Sequence, residues 1–359
     1  SLTLHNFSPP YYCLYYLPNL GFCLPTNRDS FLILLLKNNC NYSTYVKEEL
    51  IMLQHLEKKN VTMLPGLFRE RMLVNRNYLL ELGTQELLQN YYLEAGIVMP
   101  DLQVLERPET AKLHWGWEAP TCQLRGHFLG HWLSAASSLI ASENDAALKA
   151  KLDEIISELA RCQELNGGEW IGPFPEKYFT RLEKELHIWS PQYVMHKLIM
   201  GLTHAYLYAG NEQALTIVRH LADWYIRWTE KVQSTNPHAV YSGEESGMLE
   251  MWAQLFETTK DPVYETLASR YSNPSLFHKL SEGKDALTNC HTNASIPWAH
   301  GAARMYEVTG DEKYKTIVEL FWKCAVTDRG YFCTGSANSG EFWVPPFLSG
   351  QYLNDRDQE

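Results

Sequence analysis

The stretch Tyr206–Leu221, which reads YLYAGNEQALTIVRHL, decides the fold because its pattern returns twice along the chain. The second copy, Phe256–Tyr271, reads FETTKDPVYETLASRY, and the third, Tyr306–Phe321, reads YEVTGDEKYKTIVELF. Each copy begins fifty residues after the previous one and combines an aromatic residue, a polar turn and apolar residues at helical spacing. The repeat therefore predicts hairpins, each made of a helix, a tight turn and a second helix.

The turn in each copy has residues that end one helix and begin the next. Gly210 and Gly310 suit the position just after a helix, where the backbone is left-handed. Asn211, Asp261 and Asp311 suit the N-cap of the second helix, because a short side-chain oxygen can accept a hydrogen bond from a free backbone N–H. Similar turns can arise by chance, but three copies that agree over several columns favour a true repeat.

Repeated helical hairpins stack either into an open solenoid or into a closed toroid. Solenoids usually keep short, uniform connections, whereas this chain has long, aromatic connections at 114–120, 167–179, 236–247 and 329–346. Long loops gathered at one mouth are typical of a toroid with an active site. The sequence therefore predicts an all-α protein whose hairpins form an (α/α) toroid.

Composition changes near residue 59. Residues 1–58 are rich in Tyr, Leu and Asn, with irregularly placed Pro, and they predict an irregular N-terminal extension of uncertain origin. Residues 59–359 predict the helical barrel domain, because apolar residues recur there at helical spacing.

Charge and hydropathy argue against two classes of function. The chain has 31 Lys and Arg against 42 Asp and Glu, a formal net charge of −11, which argues against a nucleic-acid partner. The longest strongly apolar run, Phe31–Leu36, is far shorter than the roughly 20 residues of a membrane-spanning helix. The eight cysteines include no Cys-x-x-Cys pair, so we expect a reducing, cytoplasmic location and no membrane partner.

The segment His114-Trp-Gly-Trp-Glu118 is polar and aromatic, and it either lines a sugar pocket or plugs the end of the barrel. His127 and His131 follow four residues apart, so one helix face carries both. This spacing can chelate zinc, but the Glu of the metalloprotease motif is absent. We therefore favour a hydrogen-bonding role for both, in a pocket or between helices.

Three further polar residues lie near predicted helix starts. His196 follows Pro191 and falls in the second turn of its helix. Glu245 belongs to the acidic loop 243–247, which either holds a hydroxyl-rich ligand or consists of solvated carboxylates at a helix N-terminus. His291 precedes a helix and has no evident structural duty.

The segment 335–343, GSANSGEFW, has the strongest single signal. Its glycines allow a tight loop, and Glu341 is followed by Phe342 and Trp343. A carboxyl group held against apolar rings is favoured in its neutral form, as a general acid requires. A glycosidase also needs a second group across the sugar, and no equally strong partner is visible.

Four segments, taken in this order, resemble glycoside hydrolase family 127, the β-L-arabinofuranosidase family. They are RGHFLGHWLSAA at 125–136, GEESGM at 243–248, HTNASIPWAHGAARMYEVTGD at 291–311 and SGEFW at 339–343. The resemblance covers residues 59–359. It implies an (α/α)6 barrel followed by β-sandwich domains, and a retaining mechanism in which a cysteine nucleophile is bound to zinc.

The resemblance also implies roles for individual residues. Glu341 matches the family's acid/base, and Glu359 matches its first zinc-binding Glu. His196 and His291 match histidines that contact the sugar.

We assign the neighbouring His131, Glu245 and Trp343 to substrate binding as well. The family's zinc-binding cysteines and its nucleophile have no match in this sequence, and Cys333 is no substitute because it precedes the acid/base. We therefore expect an incomplete barrel that lacks the β-sandwich domains and does not hold zinc tightly. On this interpretation the chain is an inactive fragment of a hydrolase that acts on arabinofuranosides or related glycan termini.

Two alternatives stay open at this point. A sugar epimerase on the same toroid would use His196 and His291 for proton transfer. A non-catalytic carbohydrate-binding remnant would bind sugar without turning it over.

Overall fold

The chain divides into two compact units, Ser1–His55 and Leu56–Glu359. A computed structural model describes residues 23–26, 30–33, 56–98, 113–332 and 338–352. In the first unit the described residues form two antiparallel strands, β1 (Cys23–Thr26) and β2 (Ser30–Ile33). The division lies close to the boundary at residue 59 that the composition suggests.

The second unit is built almost wholly from α-helices, so the all-α class is confirmed. Its described residues form the helices α1 (Leu67–Glu81), α2 (Thr84–Glu94), α3 (His127–Glu143), α4 (Ala146–Leu165), α5 (Lys177–Glu183), α6 (Pro191–Ala209), α7 (Glu212–Thr235), α8 (Met248–Thr259), α9 (Pro262–Arg270), α10 (Ser275–Ser281), α11 (Thr292–Thr309) and α12 (Glu312–Trp322). A small antiparallel hairpin follows, made of β3 (Asn338–Ser339) and β4 (Phe342–Trp343).

The repeated turns join α6 to α7, α8 to α9 and α11 to α12 as the sequence predicts. Gly210 and Gly310 end their helices in the left-handed region, with φ of 66° and 69°. Asn211 and Asp311 then cap the next helices, accepting hydrogen bonds from backbone N–H groups two or three residues later. Each turn thus reverses the chain in two residues and sets two helices side by side.

A fourth hairpin of the same kind joins α3 to α4. Asn144 adopts the left-handed conformation (φ 54°), and the carboxylate of Asp145 accepts from the backbone N–H groups of Ala147 and Leu148. This turn does not lie fifty residues before the turn at Gly210, so the repeat alone does not predict it.

The first helices of two hairpins, α3 and α6, cross closely and run parallel. Gly130 makes the approach possible, because a Cβ atom there would lie 2.0 Å from the carbonyl oxygen of Lys197. Farther along, Ser134 Oγ lies 2.6 Å from His204 Nδ1. The contacts advance in the same direction on both helices, so their N-termini point the same way.

The first helices of the other two hairpins, α8 and α11, are also parallel. Gly301 packs against the side chain of Leu249, and Arg304 donates to Glu257 at 3.3 Å, so contacts again advance together. α6 packs on α8, which gives an inner layer in the order α3, α6, α8, α11. The core lies between this layer and the second helices of the hairpins.

This two-layer arrangement positions the site. The short turns all lie at the C-terminal ends of the inner helices, and the long loops therefore lie at their N-terminal ends. The predicted site residues follow or form those loops. Among the described residues, none of the helices combines the length and the apolar character that crossing a lipid bilayer requires.

Candidate active site

The hairpin that carries Glu341 is bound to the start of α11. The backbone N–H of Trp343 donates to the carbonyl of Cys290 at 3.0 Å, and that of Thr292 donates to the carbonyl of Glu341 at 2.8 Å. The turn itself is tight, with Gly340 and Glu341 both left-handed (φ 56° and 69°). A non-glycine residue in this conformation is uncommon, so the hairpin holds Glu341 at some backbone cost.

Glu341 and His291 form the closest pair among the predicted site residues. Oε2 of Glu341 lies 3.4 Å from Nε2 of His291. His291 is also the N-cap of α11, and its Nδ1 accepts from the backbone N–H of Ala294 at 3.4 Å. In neutral His291 the proton is therefore on Nε2, the nitrogen that faces the carboxylate.

Trp343 faces the interior, which corrects one sequence expectation. Its Nε1–H donates to Ser295 Oγ at 2.8 Å, and its ring packs edge-on against Phe321. The exposed aromatic residue of the hairpin is Phe342, whose ring meets that of His291 edge-on at 5.6 Å. Trp343 thus anchors the hairpin in the core, and its assignment to substrate binding stays a prediction.

The side chain of Glu341 is likewise not enclosed by aromatic rings. It is 55% exposed, and its described contact is with His291. The apolar enclosure that the sequence suggests for this carboxyl group is therefore wrong, because Glu341 lies in the left-handed turn before β4, whereas Trp343 lies in the strand and is buried.

Arg329 holds the hairpin from its buried side, and the sequence patterns do not predict this role. Its guanidinium is buried, and it donates to the carbonyl of Val344 at 2.6 Å, to the carboxylate of Asp285 at 2.8 Å and to Thr288 Oγ1 at 2.9 Å. These bonds join the hairpin to the loop that precedes α11. Its fourth partner is the carbonyl of Cys324, five residues before it, whereas the three partners that join the hairpin to this loop lie fifteen or more residues away in sequence.

Glu118 holds the loop before α3 in place. Its carboxylate accepts from the backbone N–H groups of Gly126 at 2.6 Å and Phe128 at 3.0 Å, and from His127 Nδ1 at 2.7 Å. Burial alone would raise the pKa of Glu118, but these hydrogen bonds outweigh it and lower the pKa. Glu118 is therefore an ionised cap for α3, fitted to the positive end of the helix dipole.

His131 and His196 lie on the adjoining helices α3 and α6. Solvent reaches the ring of His131, yet partial desolvation, with a contribution from the positive charge of Lys197, lowers its pKa to about 4. His196 is buried, its Nε2 has no hydrogen-bond partner in the described structure, and burial lowers its pKa well below the usual range.

Glu245 is buried in the loop before α8, two residues before Gly247, which contacts that histidine. Gly247 lets the ring approach, because a Cβ atom there would lie 2.6 Å from His196 Nε2. The side chain of Glu245 is only 8% exposed, and burial raises the pKa of its carboxyl group to about 7. The loop is anchored by buried Gln192, whose Nε2 donates to the carbonyls of Val240 and Ser242.

The structure thus brings His291 and Glu341 into direct contact and places His131, His196 and Glu245 at the same, N-terminal end of the inner helices. That Glu341, His196 and His291 face one pocket at the mouth of the barrel stays a prediction from the sequence.

A zinc site is not formed by the described residues. Among them, no group of three or more His, Cys, Asp and Glu side chains converges as a metal centre would require. Cys122, Cys162, Cys290 and Cys324 lie apart as free cysteines. Glu359 and Cys333 lie outside the described residues, so the metal-binding role of Glu359 stays a prediction.

The described part of the second unit is thus an array of helical hairpins in two layers, with a carboxylate–histidine pair at the end that carries the long loops. The model of the beta-L-arabinofuranosidase GH127 catalytic domain matches residues 60–355. The chain therefore belongs to the GH127 beta-L-arabinofuranosidase family, as the sequence motifs suggest. No curated protein matches the chain significantly.

A solved structure supports the fold. It is that of a GH127 beta-L-arabinofuranosidase from Geobacillus stearothermophilus T6, with a TM-score of 0.51 and 17% sequence identity. The match covers 79% of this chain and 48% of that one, so this chain spans about half the length of that protein. At this level of identity the likeness concerns the fold.

Proposed function

We propose that the chain contains the general acid/base residue of a retaining glycoside hydrolase that releases arabinofuranose from glycans. The observation that carries the proposal is the contact between Glu341 and His291, whose side chains lie 3.4 Å apart. Glu341 belongs to the hairpin, and His291 is the N-cap of α11, to which the hairpin is bound. Family membership supports a carbohydrate substrate. The position of Glu341 in the SGEFW segment supports its assignment as the acid/base.

The chemistry follows from that assignment. In the first step Glu341, as a carboxylic acid, gives its proton to the glycosidic oxygen while the bond to the anomeric carbon breaks, so the leaving group departs as a neutral alcohol. A nucleophile on the other side of the sugar carries the glycosyl group, and no residue of this chain is assigned that role. In the second step the Glu341 carboxylate takes a proton from water, whose oxygen bonds to the anomeric carbon while the bond between that carbon and the nucleophile breaks, which releases the sugar and returns the nucleophile to its starting form.

His291 acts through Glu341. Its Nε2 lies 3.4 Å from the carboxylate, and an imidazole N–H at this position stabilises the ionised form that exists between the two steps. Because Nδ1 is held by the backbone of α11, the ring does not need to reorient during the cycle.

The test is Glu341→Gln in the enzyme as its gene encodes it. We expect turnover of a glycoside with a poor leaving group to fall at least about 100-fold, since general acid catalysis contributes on that order. A nitrophenyl glycoside should lose much less in the bond-breaking step, because nitrophenolate departs without protonation. Glu319→Gln, on the exposed face of α12, is the matched control. Equal losses for both leaving groups, or no loss, would refute the assignment.

A further inference from the structure

Two tryptophans are exposed on a loop that is otherwise firmly held. Trp115 and Trp117 lie in the segment before α3, and Trp117 is 64% exposed. Exposed indoles of this size are costly to leave in water, and an exposed aromatic patch marks an interaction site.

Hydrogen bonds from α2 fix both ends of this loop, so its backbone does not rearrange to bury the two rings. Buried Gln89 donates from Nε2 to the carbonyls of His114 and Glu118, both at 2.9 Å, and accepts from the N–H of His114 at 2.8 Å. Buried Asn90 donates to the same carbonyl of Glu118 at 2.9 Å. The exposed rings are therefore presented on a rigid backbone.

A row of ring contacts connects Trp117 with the candidate site. It meets the His127 imidazole edge-on, with centroids 6.2 Å apart, and His127 in turn meets the ring of His131 at 6.0 Å. His127 is immobilised by Glu118 at 2.7 Å. Aromatic and imidazole groups thus form a continuous row from the exposed Trp117 to the N-terminal end of the inner helices.

We propose that Trp117, with Trp115, forms a platform on which a sugar ring of the glycan stacks, beyond the terminal unit that is cleaved. The inference rests on the proposed function for its choice of ligand. The apolar face of a sugar ring and the flat face of an indole are complementary, and an indole loses little conformational freedom on binding. The platform would make the domain prefer an oligosaccharide to a single sugar.

The experiment measures binding, so that it does not depend on turnover. The chain is titrated with arabinofuranose oligosaccharides of three to five units and, separately, with L-arabinose, by calorimetry and by tryptophan fluorescence. We expect Trp117→Ala to weaken oligosaccharide binding about tenfold and to leave arabinose binding unchanged. Trp117→Phe should recover part of the loss, because it keeps a flat ring.

Trp322→Ala is the matched control, since Trp322 is also 64% exposed but lies on the outer helix α12. Circular dichroism and a thermal midpoint verify that each variant folds. If Glu341→Gln keeps full turnover while Trp117→Ala weakens binding, the proposed acid/base is wrong and the platform stands.

Three outcomes would overturn the platform. The first is unchanged oligosaccharide affinity in Trp117→Ala, and the second is an equal loss for arabinose. The third is a change in sedimentation coefficient without a change in sugar affinity, which would show that the tryptophans meet another protein surface. Absence of any oligosaccharide binding by the unaltered chain would also refute it.

Discussion

Nε2 of His291 faces Oε2 of Glu341 at 3.4 Å while Nδ1 of the same ring accepts from the backbone N–H of Ala294. One side chain thus caps a helix and orients the assigned acid/base. Because the two duties use different nitrogens, substitutions can separate them.

The first prediction separates the two duties of His291. His291→Asn keeps a side-chain oxygen for the N-cap but cannot reach Glu341, so we expect turnover to fall about tenfold or more with little change in stability. His291→Ala should show the same loss of turnover and, in addition, lose about 1 kcal/mol of unfolding free energy. Urea unfolding and steady-state kinetics check both. Equal stability of the two variants would mean that the cap contributes nothing.

The second prediction concerns the crossing of α3 and α6. In Gly130→Ala the new methyl group would lie 2.0 Å from the backbone oxygen of Lys197, which cannot move without displacing α6. We expect a loss of about 3 kcal/mol in urea unfolding. Gly301→Ala is the comparison, because its methyl group would meet Cβ, Cγ and Cδ2 of Leu249 at 2.9 Å, a milder overlap than 2.0 Å from a backbone oxygen, so we expect a smaller loss. A smaller loss for Gly130→Ala than for Gly301→Ala would contradict the close crossing.

These cases show what the sequence can predict. The hairpin turns were predictable because Gly210 and Asn211 act on their own backbone neighbours, and such rules need no tertiary structure. The role of Gly130 was not predictable, because a glycine inside a helical pattern indicates only a weak helix former until the helix that packs against it is known.

The same limit applies to the candidate site. Glu341 and His291 could be assigned from motifs, since short segments contain them. Whether Trp343 faces a ligand or the core depends on the pairing of a two-residue strand with the loop before α11, and Arg329 sets that pairing through distant partners. Neither fact is encoded in a local pattern.

The third prediction concerns Arg329. In Arg329→Ala the carboxylate of Asp285 loses its partner, and the carbonyl of Val344 loses its donor in a buried position. We expect a loss of about 2–3 kcal/mol in unfolding free energy, because buried carbonyls lose their donor while the partly exposed Asp285 keeps hydrogen bonds from Leu287 and Thr288. Arg329→Lys should recover only part, because a single ammonium group cannot reach all the acceptors.

A double-mutant cycle with Asp285→Asn measures the pair directly. We expect a coupling energy of about 1–3 kcal/mol between Arg329 and Asp285. In Arg329→Lys, kcat should fall more than KM rises, since the hairpin that positions Glu341 is loosened. Additive effects of the two substitutions would show that the pair does not hold the hairpin.

The fourth prediction concerns the pH dependence of stability through Glu245. Burial raises the pKa of this carboxyl group to about 7 in the folded chain, against an ordinary value near 4.5. Between these values the folded chain holds a proton that the unfolded chain releases, so its stabilising effect is complete below about pH 4.5 and is lost as the pH rises through 7. The difference amounts to roughly 3 kcal/mol.

Glu245→Gln removes the titration, so its unfolding free energy should vary less between pH 5 and pH 8 than that of the unaltered chain, and it should be the more stable of the two at pH 8. Glu244→Gln, at the neighbouring and more exposed position, is the control and should keep most of the slope. Urea unfolding at both pH values checks the prediction, and an equal slope in Glu245→Gln and the unaltered chain would show that Glu245 is not buried as a neutral acid.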